Sequence, residues 1–145
     1  MKLHIETHGS GPDLVLIHGW AMHGGIFAPL TPRLADRFRV HVVDLPGHGR
    51  SIECEDSVVP ERCAASIAAR LPRAIWVGWS FGGLVSLQAA LVRPQTVRAI
   101  VEIAASPRFV SAPDWPHGVL AEMFIQFGAE ERGRIQVRFR FLLER

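Results

Sequence analysis

The feature that most narrows the fold is an alternation of short, largely apolar runs with longer segments of helical period. Residues 14–17 (LVLI), 40–43 (VHVV), 74–77 (AIWV) and 97–103 (VRAIVEI) are rich in β-branched residues and are stopped by polar or turn residues. Runs this short read as buried strands. Between them, residues 26–35 place Phe27, Leu30 and Leu34 on one helical face, and residues 60–71 carry alanines with Ile67 and Leu71. Residues 84–92 form a strongly apolar helical segment that Arg93-Pro94 ends, because the residue before a proline disfavours helical backbone. Strand, helix, strand, helix predicts an α/β fold with a mostly parallel sheet covered on both faces.

Composition fits that reading. The 145 residues are one domain's worth of chain, and 48% hydrophobic with 21% charged residues excludes disordered and coiled-coil classes. A net charge of +2 is too small to point to nucleic acid. No apolar run approaches the roughly 18 residues that cross a membrane. The opening MKLHIETHGSGP has no apolar core of a secretory signal, so a cytoplasmic protein is expected. Cys54 and Cys63 lack CxxC spacing and read as free thiols, and no metal site is expected.

The texture changes from Ser106, where Pro107, Pro113 and Pro116 break the chain. Residues 119–127 and 135–143 then read as two helices, the second rich in arginine, so a boundary is expected near residue 107. The sequence stops at Arg145 inside the second of these helices without a capping glycine or proline, and is expected to be cut short.

The chemistry centres on Gly78-Trp79-Ser80-Phe81-Gly82. A serine hydroxyl is a poor nucleophile at neutral pH and needs a base and an exposed position. In Gly-x-Ser-x-Gly a strand turns sharply into a helix, the serine takes strained dihedrals, and side chains two residues away on either side would collide. Here residues 74–77 supply the strand and residues 83–92 the helix. His18-Gly19-Trp20, directly after the first strand, supplies the second component. An acyl-transfer site holds the oxygen of the tetrahedral intermediate with preorganised backbone N–H groups, and those of Phe81 and Trp20 are the candidates. His18 itself reads as a loop brace in preference to a general base. Asp44-Leu45-Pro46-Gly47-His48-Gly49-Arg50-Ser51 has two glycines but lacks the third of a dinucleotide loop and any GK[ST], so it reads as a tight turn with Asp44 and Arg50 as structural polar groups.

These pieces in this order, HGW, DLPGHGRS and GWSFGG, resemble the N-terminal half of the α/β-hydrolase superfamily. The tryptophan-rich elbow, the string ASPRF at 105–109 and DWP at 114–116 narrow the resemblance to the carboxylesterases that remove the methyl ester from pimeloyl-acyl carrier protein in biotin synthesis. The resemblance implies residues 1–107 as an incomplete hydrolase core and 108–145 as the beginning of a helical cap. It implies Ser80 as nucleophile and the amides of Trp20 and Phe81 as oxyanion hole. It also implies a substrate-contacting set of Trp20, Ser80, Phe81, Phe139, Arg140, Phe141, Leu142 and Leu143. No cofactor or metal is implied. The expected partner is acyl carrier protein bearing the pimeloyl methyl ester, with no nucleic acid, no membrane, and a monomeric full-length form. A general short-chain carboxylesterase and a non-catalytic carrier-binding piece are the alternative readings.

Two residues add a physical argument for the carrier. Arg134 and Arg138 are four apart and share one helical face, with Arg132, Arg140 and Arg145 around them. Such a face would steer an acidic carrier protein. The proton acceptor is a separate matter. A nucleophile-elbow triad runs serine, acid, histidine along the chain, and the only histidine after Ser80 is His117, beside Asp114 at the entrance to the expected cap. The family's acid and histidine lie beyond the cap, so this chain is expected to lack both and to be inactive alone.

Overall fold

The computed structural model describes residues 3–52, 54 and 58–120. The chain clusters into two compact units, Met1–Ser106 and Pro107–Arg145.

In the first unit five strands form one sheet: β1 (Ile5–His8), β2 (Asp13–Ile17), β3 (Arg39–Val43), β4 (Ala74–Trp79) and β5 (Val97–Ile103), in the order β1-β3-β2-β4-β5. β1 runs antiparallel to β3, with Ile5 opposite Val43 and His8 opposite Val40. The other neighbours are parallel: Leu14 lies beside Val40 and Ile75, and Ile17 beside Val43 and Gly78. Along β5 the register slips between Ala74 and Ile75, which skips Arg98, and then runs to Trp79 opposite Ile103. The predicted α/β class with a mostly parallel sheet is what the molecule has.

Period-two alternation sorts the strand residues onto two cores. Leu14, Leu16, Val40, Val42 and Val77 pack with Phe27, and Ile26, Leu34 and Ala35 close over them from the β2–β3 crossover. Val15, Ile17, Val43 and Trp76 point the other way and are almost fully buried. Helices α2 (Pro60–Ala68) and α3 (Phe81–Val92) pack against each other, and α3 also lies on β4 and β5. Cys63, Ala64 and Ile67 of α2 and Val85, Ser86 and Ala89 of α3 are the residues these helices bury completely. Pro60 starts α2 where its missing N–H costs nothing, after an extended Val59.

The crossover expected as one helix over 26–35 is instead a 3₁₀ turn, Gly24–Phe27, followed by a short α1 (Thr31–Ala35). Pro29 cannot donate to a helical ladder, and Pro32 fits only the first turn of a new helix. The second helix ends at Ala68, short of the expected Leu71, and β1 was not anticipated at all. β5 stands at one edge of the sheet, with Val101 and Ile103 45% and 41% exposed.

In the second unit the described residues 107–120 form a loop pinned on itself. Val110 bridges Val119, Ala112 bridges Trp115, Arg108 pairs with Asp114 at 3.1 Å, and the Trp115 indole N–H donates to the Arg108 carbonyl. Beyond Leu120, the two expected helices and the candidate residues Arg134, Arg138, Phe139, Arg140, Phe141, Leu142 and Leu143 lie outside the described residues.

Candidate active site

β4 ends at Trp79 and α3 begins at Phe81, so one residue, Ser80, makes the whole turn from strand to helix. It does so at φ 54°, ψ −118°, a conformation that costs a non-glycine residue about 1–3 kcal/mol. The turn is held by its backbone: the Ser80 N–H donates to the Ile103 carbonyl at 2.9 Å, and the Ser80 carbonyl accepts from Gly83 N–H at 2.9 Å.

The glycines around Ser80 are required by close approach. A Cβ on Gly78 would collide with the backbone of Gly82 and Gly83, and one on Gly82 would collide with the carbonyls of Ile17 and His18. The helix start is thereby pressed onto the end of β2. Gly19 completes the arrangement, because a Cβ there would stand 3.1 Å from the Trp79 ring and 3.2 Å from Ser80 Cβ. The loop after β2 thus runs directly alongside the serine.

The Phe81 amide is in the first turn of α3, where helical N–H groups have no intrahelical acceptor. In the neighbouring loop His18 is completely buried and its two ring nitrogens are committed. Nδ1 donates to the Gly19 carbonyl at 2.7 Å, which leaves Nε2 to accept the Leu45 N–H at 3.0 Å. Burial, more than any neighbour, drives its pKa down to about 4, with the nearby His48 acting in the same direction. A buried neutral imidazole of that kind is a brace. Because a trans peptide points its C=O and N–H in opposite directions, the bond to the Gly19 carbonyl directs the Trp20 N–H away from His18.

The loop after β3 supports the same region. Asp44 Oδ1 accepts the Gly24 N–H at 2.6 Å, Oδ2 accepts the Arg50 N–H at 2.9 Å, and the Asp44 carbonyl accepts the Ser51 hydroxyl at 2.8 Å. Burial works to raise the pKa of Asp44. The amides of Gly24 and Arg50, with the field of His18, outweigh it and hold the carboxyl below its ordinary value. Arg50 also pairs with Glu6. Asp44 and Arg50 are therefore the structural polar groups the sequence indicated.

His48, in the same loop, was not singled out by the sequence, since periodicity says nothing of a polar ring between two glycines. It is 3% exposed and lies 5.3 Å from the His18 ring and 5.5 Å from the half-buried Trp20 ring, which in turn meets Phe81 edge-on at 5.6 Å. Trp20, Phe81 and Ser80 are thus brought together, flanked by two histidines whose ring nitrogens are engaged. Asp114 and His117 belong to the second unit, where Asp114 pairs with Arg108 and His117 meets the Trp115 ring. Among the described residues no histidine hydrogen-bonds to the Ser80 hydroxyl, no His, Cys, Asp and Glu group could hold a metal ion, and no helix is long and apolar enough to cross a membrane. Both cysteines are unbridged and buried.

The arrangement matches known proteins. The model of the "Alpha/beta hydrolase family" fits residues 14–145. A pimeloyl-[acyl-carrier protein] methyl ester esterase of Xanthomonas campestris pv. campestris (strain B100) is 54% identical over 128 residues, 88% of this chain and 50% of that protein. Its namesake in Stenotrophomonas maltophilia (strain R551-3) is 56% identical over 131 residues, 88% of this chain and 49% of the relative. Among solved structures, an E-2-(acetamidomethylene)succinate hydrolase is 38% identical with a TM-score of 0.62, covering 68% of this chain and 38% of its own. An esterase from Exiguobacterium antarcticum shares the fold at a TM-score of 0.77 and 22% identity, over 91% of this chain and 52% of its own. The chain spans about half the length of the curated relatives it matches.

Proposed function

The chain belongs to the alpha/beta hydrolase family, and on that premise we propose that it carries the nucleophile and oxyanion hole of a serine carboxylesterase acting on the methyl ester of pimeloyl-acyl carrier protein. The observation that carries the catalytic part is Ser80 held at φ 54° between β4 and α3, with Gly19 packed against its Cβ. The substrate rests on the name shared by the relatives at 53–56% identity.

In this reading Ser80 Oγ attacks the ester carbonyl carbon while its proton passes to a histidine that is none of the seven in these 145 residues. The amides of Phe81 and Trp20 take up the charge developing on the carbonyl oxygen; losing one such donor typically costs about 10²–10³ in rate. The intermediate collapses, methanol leaves with the proton the base returns, and the acyl group stays on Ser80 as an ester. Water then attacks that ester and gives its proton to the same base, which passes it to Ser80 Oγ as the bond from Oγ to the acyl carbon breaks, releasing the pimeloyl acid, still on its carrier. No redox step or metal is needed.

Residues 108–145 would begin the cap, with Arg134 and Arg138 meeting the acidic carrier and Phe139, Arg140, Phe141, Leu142 and Leu143 meeting the acyl chain. A monomer in the cytoplasm belongs to the same proposal.

The test compares hydrolysis of carrier-bound pimeloyl methyl ester with p-nitrophenyl acetate, using the reading frame expressed to its natural stop. Ser80→Ala should abolish both, and reversing charge at Arg134 and Arg138 should raise KM for the carrier ester alone. Turnover of the small ester with none of the carrier ester would move the protein to a general esterase. Carrier binding without turnover of either would make it a binding module.

A further inference from the structure

We propose that His48 is a positioning residue for Trp20, selecting one of two orientations of the peptide that follows it. The inference rests on the role proposed for Trp20, yet its structural part stands on the loop itself.

Residues 19–22 form a turn closed by the Met22 N–H on the Gly19 carbonyl at 3.3 Å. Ala21 has φ 56°, whereas Trp20 is not among the positive-φ residues. A positive φ at the third residue alone is the signature of a type II turn, a position that glycine fills without strain and alanine does not. The competing type I turn has the same closure and flips only the Trp20–Ala21 peptide, reversing the Ala21 N–H and the Trp20 carbonyl. Left to its own sequence, a turn with alanine at this place favours type I.

His48 opposes that preference. Its Nδ1 faces the Pro46 carbonyl at 2.8 Å, and a carbonyl can only accept, so Nδ1 carries the proton. Nε2 is then a bare lone pair, and the Ala21 N–H donates to it at 3.2 Å. In the flipped turn the Trp20 carbonyl oxygen would turn toward that lone pair instead. The ring also braces the indole of Trp20 edge-on, and the indole in turn meets Phe81. One side chain from the loop after β3 thus touches Trp20 through the peptide that follows it and through its ring. His18 fixes the peptide before it, so the two histidines divide the task of aiming the Trp20 amide and ring.

Three variants test this, in the full reading frame. His48→Phe keeps a ring against Trp20 and removes the acceptor. His48→Gln offers a carbonyl oxygen in its place. His48→Phe/Ala21→Gly removes the acceptor and also the strain at residue 21. His48→Phe should accelerate hydrogen exchange at the Ala21 amide, weaken the nuclear Overhauser contact between the Trp20 and Phe81 rings, and lower kcat for p-nitrophenyl acetate by about tenfold to a hundredfold with little change in KM. Glutamine should recover part of each. The double variant should recover kcat and the ring contact while the amide at residue 21 stays fast to exchange, a pattern that loss of general stability cannot produce. Wild-type exchange and ring contact in His48→Phe, or a double variant as impaired as the single one, would overturn the proposal. Absence of turnover in the unmutated protein would count against the esterase reading only, with the exchange and ring-contact results still deciding the role of His48.

Discussion

Replacing Asp44 by asparagine tests whether the loop after β3 is organised by a charge or by shape alone. The side chain is 6% exposed, and its two oxygens accept the amides of Gly24 and Arg50 at 2.6 and 2.9 Å. Asparagine keeps one carbonyl oxygen, but its NH₂ then faces an amide donor, so one charge-assisted bond is lost and the other becomes neutral. With hydrogen bonds to charged groups contributing about 1.5–3 kcal/mol each, the variant should lose about 2–4 kcal/mol at neutral pH. The folded-state pKa of Asp44 lies below its ordinary value of 3.8. Its contribution is therefore fully present above that value and fades as pH falls through the lower folded pKa. The gap between wild type and Asp44→Asn must close in acid, because a protonated Asp44 is as neutral as asparagine. Urea unfolding followed by tryptophan fluorescence, at neutral pH and at the lowest pH the fold survives, measures both quantities. A variant within about 0.5 kcal/mol of wild type at neutral pH, or a gap that persists in acid, would refute the reasoning.

Other consequences are simpler to state. Ser80→Gly should be more stable than Ser80→Ala by about 1 kcal/mol, because glycine adopts φ 54° without strain; thermal melts of the two decide it, and equal midpoints would mean the turn stores no strain. His18, with its pKa lowered to about 4, takes up a proton on unfolding at any pH between that value and the ordinary 6.5, so its contribution to stability rises with pH across this window. An NMR titration of its ring protons should find the midpoint near the lower value; one near 6.5 would remove it as a neutral brace. The bare face of β5, with Val101 and Ile103 exposed, should make the 145-residue chain associate as concentration rises, and Val101→Lys should lower the apparent mass seen by light scattering. A monodisperse wild-type monomer would contradict that.

The sequence was most legible where burial is two-sided. The runs at 14–17, 40–43 and 74–77 became β2 to β4 with boundaries moved by at most a residue or two, since a parallel strand covered on both faces must be apolar along its length; the run at 97–103 became β5 through its β-branched residues although it is largely exposed. β1 escaped notice because it is an edge strand with exposed Thr7 and His8 and charged Glu6, and no apolar run marks it. The 26–35 segment misled because apolar spacing was counted without the prolines that interrupt the ladder. Around the serine, Gly78 and Gly82 announced the close approach that the structure contains. The partners of Asp44 and His48 were hidden, because they depend on which loops meet at the ends of β2 and β3, a property of strand order that no local pattern encodes.

The hydrogen bond from the Ser80 amide to the Ile103 carbonyl also joins the elbow to the outermost strand of the described sheet. Parts of a fold open locally at free energies from near zero up to that of global unfolding. The serine's geometry is therefore tied to β5: were that strand to detach, the strained turn would lose one of its two backbone tethers and be free to relax. Whatever stiffens the outer side of β5 would lengthen the time Ser80 spends at φ 54° without touching any residue around it.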